Sequence, residues 1–116
     1  MGSATRKGAA SVRRTVSASP TVVYTSIGGA CPTQAFGTVD GLPCYFRYRY
    51  GGWQFSVVED ASADPVDVRC GRALGWTWAG ETGDGYGGFM ERAEVEAIVL
   101  RCVSTDRATW PRVEVP

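Results

Sequence analysis

Residues 35–59 read Ala35-Phe-Gly-Thr-Val-Asp40-Gly-Leu-Pro-Cys-Tyr45-Phe-Arg-Tyr-Arg-Tyr50-Gly-Gly-Trp-Gln-Phe55-Ser-Val-Val-Glu59. Asp40-Gly41 and Gly51-Gly52 are the dipeptides that tight two-residue hairpins demand, and each lies between alternating runs. Two such turns make a three-stranded antiparallel meander. The turn at Asp40-Gly41 pairs Val39 with Leu42, Gly37 with Cys44 and Ala35 with Phe46. A turn at Gly51-Gly52 pairs Tyr50 with Trp53, Tyr48 with Phe55 and Phe46 with Val57. Side chains alternate with a period of two along a strand. One face therefore carries Ala35, Val39, Leu42, Cys44, Phe46, Tyr48, Tyr50, Trp53, Phe55 and Val57. The other carries Gln34, Phe36, Tyr45, Arg47, Arg49, Gln54, Ser56 and Val58. The first is apolar throughout and the second is mixed, as in a sheet buried on one side.

Working outward, Thr21 to Ile27 is rich in β-branched residues and reads as a preceding strand that Gly28-Gly29 ends. Residues 1–20 are Ser, Ala, Thr, Gly and Arg with little apolar mass, too little to offset the entropy of ordering them. They are expected to form a flexible basic tail, leaving 21–116 as one small domain. Residues 60–70, with Pro65, read as a polar loop. Ala73 to Thr82 holds Trp76 and Trp78 in alternation, a further strand. Gly83 to Gly88 is glycine-dense and reads as a turn. It lacks the Lys-Ser/Thr of a phosphate-binding P-loop and the parallel unit that precedes one.

In Phe89 to Val103, Val95, Ile98, Val99 and Cys102 fall on one helical stripe, and Ala93, Ala97 and Leu100 form a smaller apolar side. Acidic residues early and Arg101 late suit the helix macrodipole. Glu94-Val95-Glu96 also alternates, so a strand from Glu94 is the competing reading. Trp110 to Pro116 suits a short edge strand. The fold class expected is α+β: an antiparallel meander of about four or five strands packed against one C-terminal helix.

The 116 residues carry twelve basic and twelve acidic side chains, so net charge does not favour a nucleic acid or an anionic membrane. The charge is uneven, however. Residues 1–39 hold four basic and no acidic residues (+4), and residues 40–116 hold eight basic and twelve acidic (−4). No apolar run reaches the roughly 18 residues of a membrane span, and no apolar segment follows Arg13-Arg14 as a secretory or twin-arginine signal requires. A cytoplasmic or virion-associated location is expected.

Cys31, Cys44, Cys70 and Cys102 include no closely spaced pair, and histidine is absent. Buried free thiols are therefore expected over a zinc site or disulfides. Without histidine there is no Ser-His or Cys-His dyad. Asp60, Asp64 and Asp67 lack the spacing of a calcium loop. Carboxylate pairs such as Glu91 with Glu94 read as solvated helix residues. The expectation is a non-enzyme with no cofactor, no metal and no small-molecule ligand. Trp76, Trp78 and Trp110 could form a binding platform with Tyr86, but Trp76 and Trp78 share a strand face and read as core.

The segment Asp40-Gly41, Tyr45-Phe46-Arg47-Tyr48-Arg49 and Gly51-Gly52-Trp53 resembles a pattern in small uncharacterised proteins of actinobacterial phages and mobile elements. The eleven arginines against one lysine fit a GC-rich source of that kind. The resemblance covers residues 40–53, about an eighth of the chain, and implies an origin but no activity. Two modes of action are open. In the first, the protein is an accessory factor that binds another protein, or itself, through the sheet surface or the exposed edge of the meander. In the second, Tyr45, Arg47, Arg49 and Gln54 form a nucleic-acid-binding face, with Tyr45 stacking on a base and the basic tail adding affinity.

Overall fold

The computed structural model describes residues 20–82 and 88–113. Most of the expected tail, most of the glycine-dense loop with Tyr86, and residues 114–116 lie outside them. The described chain forms one antiparallel sheet in sequential order: β1 (Val22–Gly28), β2 (Thr33–Val39), β3 (Leu42–Arg49), β4 (Gly52–Val58), β5 (Gly75–Glu81) and β6 (Arg112–Val113). Helix α1 (Pro65–Arg69) lies between β4 and β5, and helix α2 (Arg92–Val103) between β5 and β6. The sheet has six strands against the four or five expected. Both flanking segments read as strands join it, residues 21–27 as β1 and the chain after Trp110 as the two-residue β6, whose pairs are Gly75 with Val113 and Trp76 with Arg112.

The first hairpin has the register read from its turn: Val39 opposite Leu42, Gly37 opposite Cys44, Ala35 opposite Phe46. Asp40 (φ 50°) and Gly41 (φ 85°) both adopt positive φ, the requirement of a type I′ turn. The second hairpin corrects the expected register. Its turn is centred one residue earlier, on Tyr50 (φ 54°) and Gly51 (φ 79°), so Tyr48 lies opposite Trp53, Phe46 opposite Phe55 and Cys44 opposite Val57. Moving the turn by one residue moves each pairing by two, which preserves the face of every side chain. Only Tyr50 changes role: it sits in the turn, 60% exposed, instead of on the apolar face.

The apolar face is the core. Ala35, Val39, Cys44, Phe46, Tyr48, Phe55 and Val57 are buried against Val95, Ile98, Val99, Cys102 and Val103 of α2. The helix reading of this segment holds, starting at Arg92; Glu94 lies in its first turn and Arg101 in its last. Trp76 and Trp110 are also buried, with ring centroids 5.3 Å apart, and Trp78 lies 5.2 Å from Trp110. Nearby, Arg107 pairs with Asp40 at 3.2 Å, and Asp40 Oδ1 accepts the Thr21 N–H at 2.8 Å. One turn residue thus ties the start of β1 to the chain after α2.

The opposite face is not left open throughout, which is a second correction. Residues 65–69 form α1 where a polar loop was expected. Asp64 caps it by accepting the Val66 N–H at 3.0 Å, and Pro65 occupies its first turn. Buried Val68 from this helix reaches within 3.0 Å of where a Cβ on Gly75 would lie. Ser56 and Val58 are buried on that side, and Ser56 shares a 3.1 Å hydrogen bond with Thr77.

The thiols divide evenly: Cys44 and Cys102 are buried, whereas Cys31 and Cys70 are exposed free thiols, contrary to the expectation of burial. Burial pushes the Cys44 thiol up to about 12 and Cys102 up to about 11. Burial and nearby Glu96 push the Tyr24 phenol to about 12. In each case the folded state favours the neutral form. Their stabilisation is therefore complete below the unfolded values of 9 for the thiols and 10 for the phenol, and is lost as pH rises to 11–12. Urea midpoints should be flat from pH 6 to 8.5 and fall steadily above pH 9. A Cys44→Ala variant should lose part of that slope.

Candidate binding surfaces

The four residues proposed from sequence lie on the face opposite α2, and the sheet register sets their neighbours. Arg47 lies directly between Gln34 on β2 and Gln54 on β4, and Ala79 on β5 continues the row. Adjacent strands are about 4.8 Å apart, so Gln34, Arg47 and Gln54 form a polar strip that ends at Ala79. No carboxylate among the described residues pairs with Arg47 or Arg49. The Arg49 guanidinium lies over the Tyr50 ring at 4.7 Å and donates to the Tyr50 hydroxyl at 3.2 Å, contacts that raise its pKa further.

Tyr45 does not join this strip as an open platform. It is 5% exposed, its hydroxyl accepts a 2.7 Å hydrogen bond from Gln34 Nε2, and its ring packs on Phe36 at 4.9 Å. A base stacking on Tyr45 would have to displace Phe36.

The sheet edge at β1 is more distinctive. Its seven residues, Val-Val-Tyr-Thr-Ser-Ile-Gly, include no charge and no proline. Charge and proline are two of the usual protections of a free edge, and a β-bulge is another. The register of β1 on β2 slips between Tyr24 and Ser26, leaving Thr25 as the extra residue of a bulge. The bulge explains the side-chain pattern. Tyr24 and Ile27 are three apart, an odd spacing that would place them on opposite faces of a regular strand. Here both join Val22 against the core, all three only partly buried. On the other face Val23 is 52% exposed. The bulge also brings the two backbones close: a Cβ on Gly37 would lie 2.0 Å from the Val23 carbonyl oxygen. Nothing in the local sequence announces the bulge except the change of phase between Tyr24 and Ile27.

At the far end of β4 a cleft of about 480 Å³ opens between residues 58–63 and 72–74. Its charged groups are already engaged. Glu59 pairs with Arg112, and Arg72 with Asp67 at 3.6 Å. Asp60 accepts from the Ser62 N–H and hydroxyl, which hold its carboxyl below the usual range. Asp60, Asp64 and Asp67 thus serve a turn, a helix cap and an ion pair.

Near the other end, Thr33 is fully buried. Its hydroxyl donates to the Gly29 carbonyl at 2.8 Å and accepts the Met90 N–H at 2.9 Å. These bonds join the β1–β2 connection to the segment before α2. No helix among the described residues is long and apolar enough to cross a membrane. Compared with known proteins, the chain matches no family model, no curated protein and no solved structure.

Proposed function

We propose that this chain is a small non-enzymatic accessory protein that binds another protein by adding an extended segment of that partner to β1. The observation that carries this reading is the composition of the edge, seven consecutive strand residues without charge or proline. Backbone hydrogen bonds along such an edge supply affinity and alternate side-chain positions supply selectivity. The half-buried Val22, Tyr24 and Ile27 on one face and the exposed Val23 on the other favour a partner strand with apolar residues on both faces. The resemblance at residues 40–53 and the arginine-rich usage support an origin in a phage or mobile element of an actinobacterial host.

Nucleic-acid binding is the alternative. It has in its favour two guanidiniums, Arg47 and Arg49, that pair with no carboxylate among the described residues, and against it the burial of Tyr45.

The test uses peptides selected from a random library for binding to the full chain. Their footprint, mapped by NMR shifts, should fall on Val22–Gly28. A Val23→Lys/Ser26→Lys variant, charged at two exposed edge positions, should keep the fold and weaken binding by about tenfold or more. Peptides that map to the Arg47 strip, or bind the variant equally well, would overturn the reading.

A further inference from the structure

The outward side of α2 carries a second surface, independent of β1. Ala93, Ala97 and Leu100 are all exposed, Leu100 by 50%, and Phe89 just before the helix is 58% exposed. At about 100° per residue, Ala97 sits at the centre of this face. Ala93 and Leu100 flank it on one side, and Glu94 and Arg101 on the other, each within about 60° of Ala97. Glu94 and Arg101 have no side-chain partner among the described residues, whereas Arg92 is already paired with Glu96 at 3.1 Å.

The spacing is self-complementary. Glu94 lies three residues before Ala97 and Arg101 four after it; Ala93 lies four before and Leu100 three after. A two-fold axis perpendicular to the helix at Ala97 reverses the helix direction and keeps each side of the stripe on its own side. It therefore sets Ala97 against its own copy, Ala93 against Leu100 of the second chain, and Glu94 beside Arg101 of the second chain, twice over. The small side chains at the crossing permit close approach, and the antiparallel arrangement also opposes the two helix dipoles.

We infer that α2 is a homodimerisation surface whose occupant is a second copy of this chain, packed antiparallel about Ala97. One helix pair buries less than the roughly 1,200 Å² of a stable complex, so the dimer is expected to be weak and reversible, with Kd from micromolar to millimolar.

Sedimentation of the full chain from micromolar concentration to about 1 mM tests this. The wild type should pass reversibly from monomer to dimer. Ala97→Glu, at an exposed helical position, should keep its helical signal and weaken the dimer about tenfold or more, and Arg101→Glu should do the same by setting like charges together. Glu94→Arg combined with Arg101→Glu should restore it. A chain that stays monomeric at the highest concentration would overturn the inference. So would a dimer that ignores Ala97→Glu, or one that the β1 variant Val23→Lys/Ser26→Lys abolishes. Failure here leaves the peptide footprint on β1 unaffected, so the two proposals fail separately.

Discussion

Replacing Phe46 by alanine is expected to remove about 3–5 kcal/mol of stability, the cost of deleting a buried aromatic ring and leaving its cavity. Phe46 is 1% exposed. It lies in β3, between Ala35 on β2 and Phe55 on β4 in register. Its ring stacks on Trp53 at 6.1 Å between centroids, and it belongs to the cluster that includes Val95 and Val99 of α2. A small domain has only about 5–15 kcal/mol of total stability, so this one change should move the urea midpoint by roughly 2 M. A shift under about 0.5 M would mean that Phe46 is not packed between sheet and helix. Phe55→Ala should behave in the same way.

The second large effect is expected from the smallest change. Gly37→Ala adds one methyl group, but that carbon would lie 2.0 Å from the Val23 carbonyl oxygen and 3.0 Å from the Tyr24 Cα. Both are backbone atoms, so relief requires β1 to move away from β2. The expected cost is about 2 kcal/mol or more, at the upper end of what overpacking costs. It should be local. Amides of Val22–Gly28 should lose protection from hydrogen exchange while those of β3 and β4 keep theirs. Because β1 is the proposed binding edge, the same variant should lose peptide binding while the core remains folded. A uniform loss of protection across the sheet would contradict that division.

The hairpins were legible because their information is local. Asp40-Gly41 carries its turn geometry in two residues, and the alternation from Leu42 to Tyr50 leaves one choice of buried face. The second turn is ambiguous by one residue in the sequence, because three candidates for positive φ, Tyr50, Gly51 and Gly52, stand in a row. The twist of the strands favours a Tyr50-Gly51 type I′ turn, and composition alone does not rank it above Gly51-Gly52. The faces do not depend on that choice, since parity survives a two-residue change in pairing. Helix α1 was missed because five residues show no periodicity, although Asp64-Pro65 is a cap followed by a first-turn proline. The burial of Tyr45 has a different source: Phe36 and Gln34 on the neighbouring strand close over it, which alternation alone does not reveal. The bulge at Thr25 was illegible: it depends on what β2 offers opposite it, and Gly37 is thirteen residues from Tyr24. The edge itself was anticipated in general terms, whereas its identity as β1 required the strand order.

The most direct measurement is residue-by-residue amide exchange along Val22–Gly28 in the free protein, at concentrations low enough to keep it monomeric. An available edge predicts two populations. Amides turned toward β2 exchange slowly, and those turned outward exchange at nearly the rate of an unstructured chain, becoming slow only when a bound peptide supplies acceptors. If every amide in this strand is protected in the free monomer, the edge is already covered and strand addition at β1 is wrong.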